Sequence, residues 1–217
     1  MQVITAPEQI GFDSLRFKSV FLAGGITNCP EWQDELITHL DNLIGQFDVV
    51  VINPRRKNFP IGDKRAGLEQ IEWEFEMLKH ASVFSMWFSN ADSDQPICMY
   101  ELGRHLSLRK LMSLDLSVDG FVLGVEEGYR RELDVYAQVF HAARPKVPEI
   151  SVCLKDHAIR IAIALGFPLS KRKLSGKQSS ILNTLREHEE EKREKRSSHE
   201  IVRYPGHKGT EKADHED

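Results

Sequence analysis

Residues 19–25 read Ser19-Val20-Phe21-Leu22-Ala23-Gly24-Gly25, a short apolar run that stops at paired glycines. Such a run is typical of a buried strand, and the glycines mark a tight turn at its end. Residues 31–43 follow and carry large apolar side chains at helical spacing. The segment therefore predicts a strand, a turn and a helix in succession, which is the repeating unit of an α/β fold.

The same alternation continues to residue 168. After the first strand at 19–23, β-branched and aromatic runs predict strands at 48–52, 82–88, 111–116, 121–125 and 150–152. Apolar periodicity predicts helices at 31–43, 70–80, 97–108, 129–141 and 155–165. Strands separated by helices imply right-handed crossovers and a parallel sheet covered on both faces. We predict one α/β domain over 1–168 with a doubly wound, Rossmann- or flavodoxin-like sheet.

The last part of the chain, 169–217, has a different composition. Tyr204 is its only Phe, Trp or Tyr, and charges crowd together at 187–196. Such a stretch cannot bury enough apolar surface to offset its conformational entropy. Opposite charges three and four positions apart favour a solvated helix over about 179–195. We predict a charged, mobile tail, with a partner-binding helix as the alternative.

Composition excludes several classes of function. The net charge of -4 gives no reason to expect nucleic acid or an anionic membrane as a partner. No apolar run approaches the roughly 20 residues of a spanning helix, and the first residues do not resemble a secretory signal. The three cysteines predict neither a disulfide framework nor a zinc site. We expect a cytoplasmic protein with reduced thiols, without a metal or a cofactor.

In parallel sheets, ligands bind beyond the carboxyl ends of the strands, so the residues after each strand carry most weight. Paired glycines after the first strand let backbone amides approach a ligand, although a plain turn explains them as well. Two arginines after the second strand can hold a phosphate or carboxylate, or lie in solvent. The candidate binding residues of these two segments are Gly24, Gly25, Ile26, Asn53 and Arg55.

Two carboxylates are candidates for chemistry. Residues 92–104 lead from a loop into a helix, which places Glu101 near a helix N-terminus, where amide dipoles favour the ionised form that a nucleophile needs. A glutamate in a first turn is also common for that dipole interaction alone. Glu74 is the second carboxylate, beside Trp73, whose ring is either a wall for a heterocycle or part of the core. Gly103 keeps the backbone open beside Glu101.

Together these segments resemble the nucleoside 2-deoxyribosyltransferase family, in particular its divergent branch and the related nucleotide N-glycosidases. The resemblance covers roughly 19–116. It is carried by 21–26, 53–56, 70–74, 81–88 and 99–104. The last segment, Met-Tyr-Glu-Leu-Gly-Arg, is the most specific, because the family places its nucleophilic glutamate in a Glu-Leu-Gly segment that opens this helix.

The resemblance implies a double displacement at the anomeric carbon of a nucleoside or nucleotide. Glu101 attacks that carbon, the base leaves, and the glycosyl group passes to water or to another base. Glu74 stands where the family has an aspartate that manages the proton of the base, and an ionised Glu101 would raise the pKa of Glu74. The resemblance also implies a homodimer or a higher homo-oligomer.

Two positions depart from the family. The first strand has Phe21 where the family has a tyrosine beside the nucleophile. About six residues before the nucleophile, where the family has an aspartate or serine that contacts the sugar or its phosphate, the chain has Gln95, with Asp94 next to it. Asp94, Gln95, Met99 and Gly103 complete the candidate substrate-binding set.

Two other functions compete with glycosidic cleavage. A phosphoribohydrolase of the type with a Gly-Gly-Gly-Thr loop is disfavoured, because the chain lacks that run. A catalytically weak or inactive nucleotide-binding or scaffold protein with the same fold is favoured by Phe21 and disfavoured by the joint presence of Glu101 and Glu74.

Overall fold

A parallel sheet forms the centre of the computed structural model, which describes residues 1–11, 18–111, 120–144, 146–169 and 176–201. Its strands are β1 (Gln2–Thr5), β2 (Ser19–Gly24), β3 (Val50–Asn53), β4 (Val83–Phe88), β5 (Phe121–Val125) and β6 (Ile150–Ser151). They lie in the order β1-β3-β2-β4-β5-β6, and every neighbouring pair is parallel. The predicted parallel α/β sheet is confirmed.

Helices cover both faces of this sheet. They are α1 (Trp32–Ile44), α2 (Lys64–His80), α3 (Pro96–Leu111), α4 (Glu132–Ala143), α5 (Leu154–Ala164) and α6 (Gly176–Ile201). Helices α1 and α5 pack on one face, against Val20 and Leu22 of β2. Helices α2, α3 and α4 pack on the other face, against Phe21 and Ala23. Because strand side chains alternate between faces, β2 is buried on both, as a doubly wound sheet requires.

Some element boundaries differ from those predicted. Strand β1 was not predicted; it is short and pairs only with β3 at the edge of the sheet. Helix α2 begins at Lys64 rather than residue 70, because the Asp63 carboxylate caps it, accepting hydrogen bonds from the backbone N–H groups of Arg65 at 2.9 Å and Ala66 at 3.4 Å. Of the predicted strand at 111–116, Leu111 belongs to α3 and the remainder lies outside the described residues.

Helix α6 occupies part of the segment predicted to be a tail. Leu182 is 6% exposed, and Ile181 and Leu185 pack against the core cluster that includes α4. Glu189 forms ion pairs with Arg144 and, at 3.4 Å, with His141 of α4. The division at 168/169 into a body and a mobile tail stays a prediction. Within the described ranges, no helix combines the length and the apolar character needed to cross a membrane.

The strand order locates the crevice of the sheet. From the central β2 the chain crosses to β3 on one side, and β4 then lies on the other side of β2. In doubly wound sheets, ligands bind at such a reversal, outside the carboxyl ends of the strands. The segments that follow β2, β3 and β4 therefore converge on one edge. The candidate residues of the sequence analysis lie in these segments and in the helices that follow them.

Candidate active site

Glu101 and Glu74 lie on α3 and α2, which pack on the same face of the sheet, and the two carboxylates interact electrostatically. Burial, followed by the negative charge of Glu74, raises the pKa of Glu101 to about 7, and Arg104 opposes this shift. Burial also raises the pKa of Glu74. The structure therefore brings the two predicted carboxylates into electrostatic contact, with both protonated more readily than in water.

The Gln70 amide positions Glu74. Its Nε2 donates to Glu74 Oε1 at 2.7 Å and to the carbonyl oxygen of Pro54 at 2.8 Å. The first bond partly offsets the rise in the pKa of Glu74, because it stabilises the carboxylate form. Since Pro54 follows β3 directly, Gln70 fixes Glu74 relative to the carboxyl edge of the sheet.

The predicted dipole effect on Glu101 is wrong. Helix α3 begins at Pro96, and its first turn contains no acidic residue. Glu101 lies more than one turn further along, beyond the reach of the N-terminal amide dipoles. Burial and the charge of Glu74 decide its titration and favour the protonated form. The predicted cause for Glu74 also differs, since burial rather than the charge of Glu101 raises its pKa.

Gly24 and Gly25 make the turn after β2 through close packing. Gly24 has φ +155°, and a Cβ there would lie 2.5 Å from both Trp32 Cζ2 and the carbonyl oxygen of Trp87. A Cβ on Gly25 would lie 2.5 Å from Gln95 Oε1, and Cys29 Sγ is closer still. Neither position admits a side chain, because these contacts lie well inside van der Waals distance.

Gln95 and Asp94 are engaged within the protein. Gln95 is 3% exposed, and its amide donates to Ser89 O at 2.8 Å and accepts from Ser89 N at 3.3 Å. The Asp94 carboxylate pairs with Arg130 Nε at 2.7 Å. The Asp94 carbonyl accepts a hydrogen bond from Tyr129 Oη at 2.9 Å. Both candidate residues therefore shape the loop before α3.

Asn53 and Arg55 build the wall of a cleft. Asn53 Oδ1 accepts the backbone N–H of Arg55 at 3.0 Å. The Arg55 guanidinium donates to the carbonyl oxygens of Pro30 at 2.5 Å and Cys29 at 3.1 Å, and to Gln33 Oε1 at 3.2 Å. The cleft has a volume of about 980 Å³ beyond the carboxyl ends of β1, β2 and β3. Asn53, Arg55 and Ile26 line it, whereas Glu74 and Glu101 do not belong to its described lining.

Part of the chain is similar in sequence to a known protein family. Residues 17–113 match the model of the nucleoside 2-deoxyribosyltransferase-like family. Over these residues, somewhat less than half of its length, the chain is similar to that family. No curated protein matches the chain. The matched segment contains β2, β3, β4, both carboxylates and the turn at Gly24 and Gly25, and it indicates an enzyme with nucleoside deoxyribosyltransferase-like activity.

Three other candidates of this nucleoside 2-deoxyribosyltransferase-like segment lie in different surroundings. Trp73 is 4% exposed, donates from Nε1 to Glu8 O at 2.7 Å and packs with its ring centroid 6.5 Å from that of Phe21, so it belongs to the core. Met99 packs partly buried against the same core. A Cβ on Gly103 would meet no described atom within 4 Å, so packing there does not require glycine.

The sequence analysis did not assign roles to Gln70 or to a loop clamp, which we define as residues 126–131 bound to residues 89–95. In this clamp Glu126 Oε2 accepts the backbone N–H of Asn90 at 2.8 Å, beside the contacts of Tyr129 and Arg130 with Asp94. Gln70 lies four positions before Glu74, and this spacing is a signal for a side-chain hydrogen bond on one helix face. The clamp joins segments far apart in sequence, and no local pattern indicates it.

The described residues contain no cluster of three potential metal ligands.

Proposed function

We propose that the chain cleaves or exchanges the N-glycosidic bond of a nucleoside or nucleotide through a covalent glycosyl ester of Glu101. The observation that carries this proposal is the partly buried, electrostatically interacting pair of Glu101 and Glu74 within the nucleoside 2-deoxyribosyltransferase-like segment. Paired carboxylates with raised pKa values suit a reaction that needs a nucleophile and a proton donor at one carbon atom.

The reaction proceeds in two displacements. The ionised Glu101 carboxylate attacks the anomeric carbon, the bond from that carbon to the base nitrogen breaks, and the departing base takes a proton from Glu74. Water or a second base then attacks the same carbon, its proton passes to Glu74, and Glu101 leaves as a carboxylate. Phe21 is 2% exposed and offers no hydroxyl to the nucleophile. The Gln70 amide is the hydrogen-bonding group that orients the proton donor.

The productive form of the pair holds one proton. Glu101 titrates with a pKa of about 7 while Glu74 is charged, so both carboxylates are ionised well above that pH. Below that pH the pair carries a single proton. The reactive form is the one in which this proton resides on Glu74 and Glu101 is ionised. Full protonation at still lower pH removes the nucleophile. The pair therefore supports a bell-shaped dependence of rate on pH.

Substitution of the nucleophile tests the proposal. We expect Glu101→Gln to lower turnover about a thousandfold or more on a panel of nucleosides and nucleotides, because an amide cannot form the ester. Mass spectrometry of the wild-type protein, quenched during turnover, should show a glycosyl adduct on the peptide that contains Glu101. Glu72→Gln, on the exposed side of α2, is the matched control and should keep the wild-type rate. Wild-type turnover by Glu101→Gln contradicts the mechanism.

A binding or scaffold protein with little turnover is the second candidate. It is favoured by Phe21, which lacks the family's hydroxyl, and by the internal hydrogen bonds of Gln95. It predicts that the wild-type protein binds a nucleotide without releasing base. Product analysis alongside calorimetric binding separates the two functions.

We also propose that the protein is a homodimer or a higher homo-oligomer, as the family resemblance implies. The outer face of α2, the helix that carries Glu74, exposes Leu68, Ile71 and Phe75, and this apolar surface suits contact with another subunit. Sedimentation that shows a monomer at working concentrations contradicts this proposal.

A further inference from the structure

Two adjacent arginines after β3 have different surroundings. The three hydrogen bonds of the Arg55 guanidinium hold the loop before α1, so its donors are largely engaged inside the protein. Arg56 lines the same cleft, but its Nη1 atom is buried and has no hydrogen-bond partner among the described residues. A buried guanidinium donor without a partner is costly, because an arginine stays charged at any physiological pH.

The surroundings of Arg56 suit an anion. Its Cζ lies 5.5 Å from the ring centroid of Phe59, which supports one face of the guanidinium. With Arg55 and Arg56, Lys57 is the third cation of the cleft lining. Three carboxylates also line the cleft. Asp34 pairs with Lys57 at 3.8 Å, Glu8 Oε2 accepts the backbone N–H of Thr5 at 3.3 Å, and Glu31 is exposed. A phosphate in the cleft would bind the accessible part of the Arg56 guanidinium, because the buried Nη1 atom itself is closed to the cleft.

The cleft is linked to the two carboxylates through Gln70. The Gln70 amide binds Glu74 on one side and the Pro54 carbonyl on the other, and Pro54 lies between the cleft residues Asn53 and Arg55. One side chain therefore separates the cleft wall from Glu74. A nucleotide with its phosphate in the cleft and its sugar at the carboxylates would lie across Gln70.

We propose that Arg56 forms a subsite for the phosphate group of the substrate, so that the chain acts on nucleotides in preference to nucleosides. This inference rests on the proposed function for the identity of the sugar and base, but the subsite itself depends only on the cleft. Free inorganic phosphate shares the same chemistry, and the experiment separates it from a nucleotide.

Calorimetric binding in the Glu101→Gln background tests the subsite without turnover. The ligands are the four common 2′-deoxynucleosides, their 5′-monophosphates and inorganic phosphate. We expect at least one monophosphate to bind about tenfold or more tightly than its nucleoside, and Arg56→Gln to reduce this advantage to less than about twofold. Arg186→Gln, on the exposed face of α6, changes the net charge equally and should keep the advantage.

Several outcomes overturn the subsite: an unchanged advantage in Arg56→Gln, an equal loss in both arginine variants, or no effect of phosphate across the panel. Binding of inorganic phosphate through Arg56 without an advantage for any nucleotide overturns the substrate assignment. The melting temperature is the control for misfolding. Arg56→Gln should leave the melting temperature unchanged, whereas Arg55→Gln should lower it. A nucleotide that binds through Arg56 but is not cleaved by the wild-type protein contradicts the proposed reaction and leaves the subsite intact.

Discussion

At the scale of single residues, the molecule keeps two carboxylates in a site that disfavours their charge. Burial raises the pKa values of both, and the charge of Glu74 adds to the shift at Glu101. A buried charge lowers stability unless it is fully compensated, and Arg104 compensates Glu101 only in part. Proteins accept such a loss of stability where chemistry requires it, which agrees with a role for this pair in catalysis.

The stability of Glu101→Gln should therefore depend on pH. The folded-state pKa of Glu101, about 7, lies above its ordinary value of 4.5, so its contribution to stability is complete below pH 4.5 and is lost as pH rises through 7. The neutral amide avoids this loss. At pH 8 we expect Glu101→Gln to raise the free energy of unfolding by up to about 3 kcal/mol, at about 1.4 kcal/mol for each pKa unit.

Urea unfolding at pH 4.5 and pH 8 measures this difference. At pH 4.5 the variant and the wild-type protein should differ little, because the carboxyl is then largely protonated in the folded state. Glu72→Gln is exposed and should show no such dependence on pH. An equal effect of Glu101→Gln at both pH values means that burial does not perturb this carboxyl.

At the scale of elements, the loop clamp orients α3. The loop of residues 89–95 leads directly into α3, and it is bound to the loop after β5 through Glu126, Tyr129 and Arg130. The Tyr129 ring is buried against Phe88, with ring centroids 5.3 Å apart. This packing fixes the position of the hydroxyl that binds Asp94. The position of Glu101 on α3 thus depends on a contact outside the family match, which ends at residue 113.

We expect Tyr129→Phe to act as the loss of a positioning group. The Asp94 carbonyl loses its bond to the hydroxyl, which should lower stability by about 1 kcal/mol. Under the proposed reaction, kcat should fall about tenfold with little change in KM, because the nucleophile is displaced rather than the binding groups. Tyr136→Phe removes a hydroxyl from a tyrosine that is equally buried in α4 and should leave kcat unchanged. Equal effects on kcat would show that Tyr129 is only structural.

At the scale of the whole molecule, α6 packs apolar side chains against the body of the protein. Its first half packs through Ile181, Leu182 and Leu185 and is joined to α4 by Glu189. Residues 190–195 that follow are all charged and exposed, as the composition predicts. The conformational entropy lost on ordering this helix is offset by few apolar side chains, so each of them matters.

Leu182→Ala measures whether α6 belongs to the body. If the helix is packed, the substitution should lower stability by about 2 kcal/mol or more, since it removes a buried aliphatic side chain. For a protein of this size that corresponds to a fall of about 4–8 °C in melting temperature. Asn183→Ala, on the exposed face of the same turn, should have little effect. No change for Leu182→Ala would support the predicted mobile tail.

The sequence alone determined the alternation of strands and helices, the turn at Gly24 and Gly25, and the two carboxylates worth testing. The inferences about the fold are confirmed, because apolar periodicity and the turn that follows a strand are local features, whereas the roles of the two carboxylates stay a prediction. The edge strand β1 is not predicted, because four residues are too few to show a clear alternation of apolar and polar side chains. The strand forms through its pairing with β3. The start of α2 was placed late because its first turn carries little apolar periodicity, although Asp63 is a capping residue.

The hydrogen-bonding partners and the titration of the candidate side chains follow from tertiary packing. The sequence treats Arg55 and Arg56 alike, but the loop before α1 engages the first and leaves Nη1 of the second without a described partner. It also predicted an ionised Glu101, whereas burial and Glu74 favour its protonated form. Titration and hydrogen bonding depend on neighbours that are distant in the chain. Packing determines which residues become neighbours, and local sequence patterns do not contain that information.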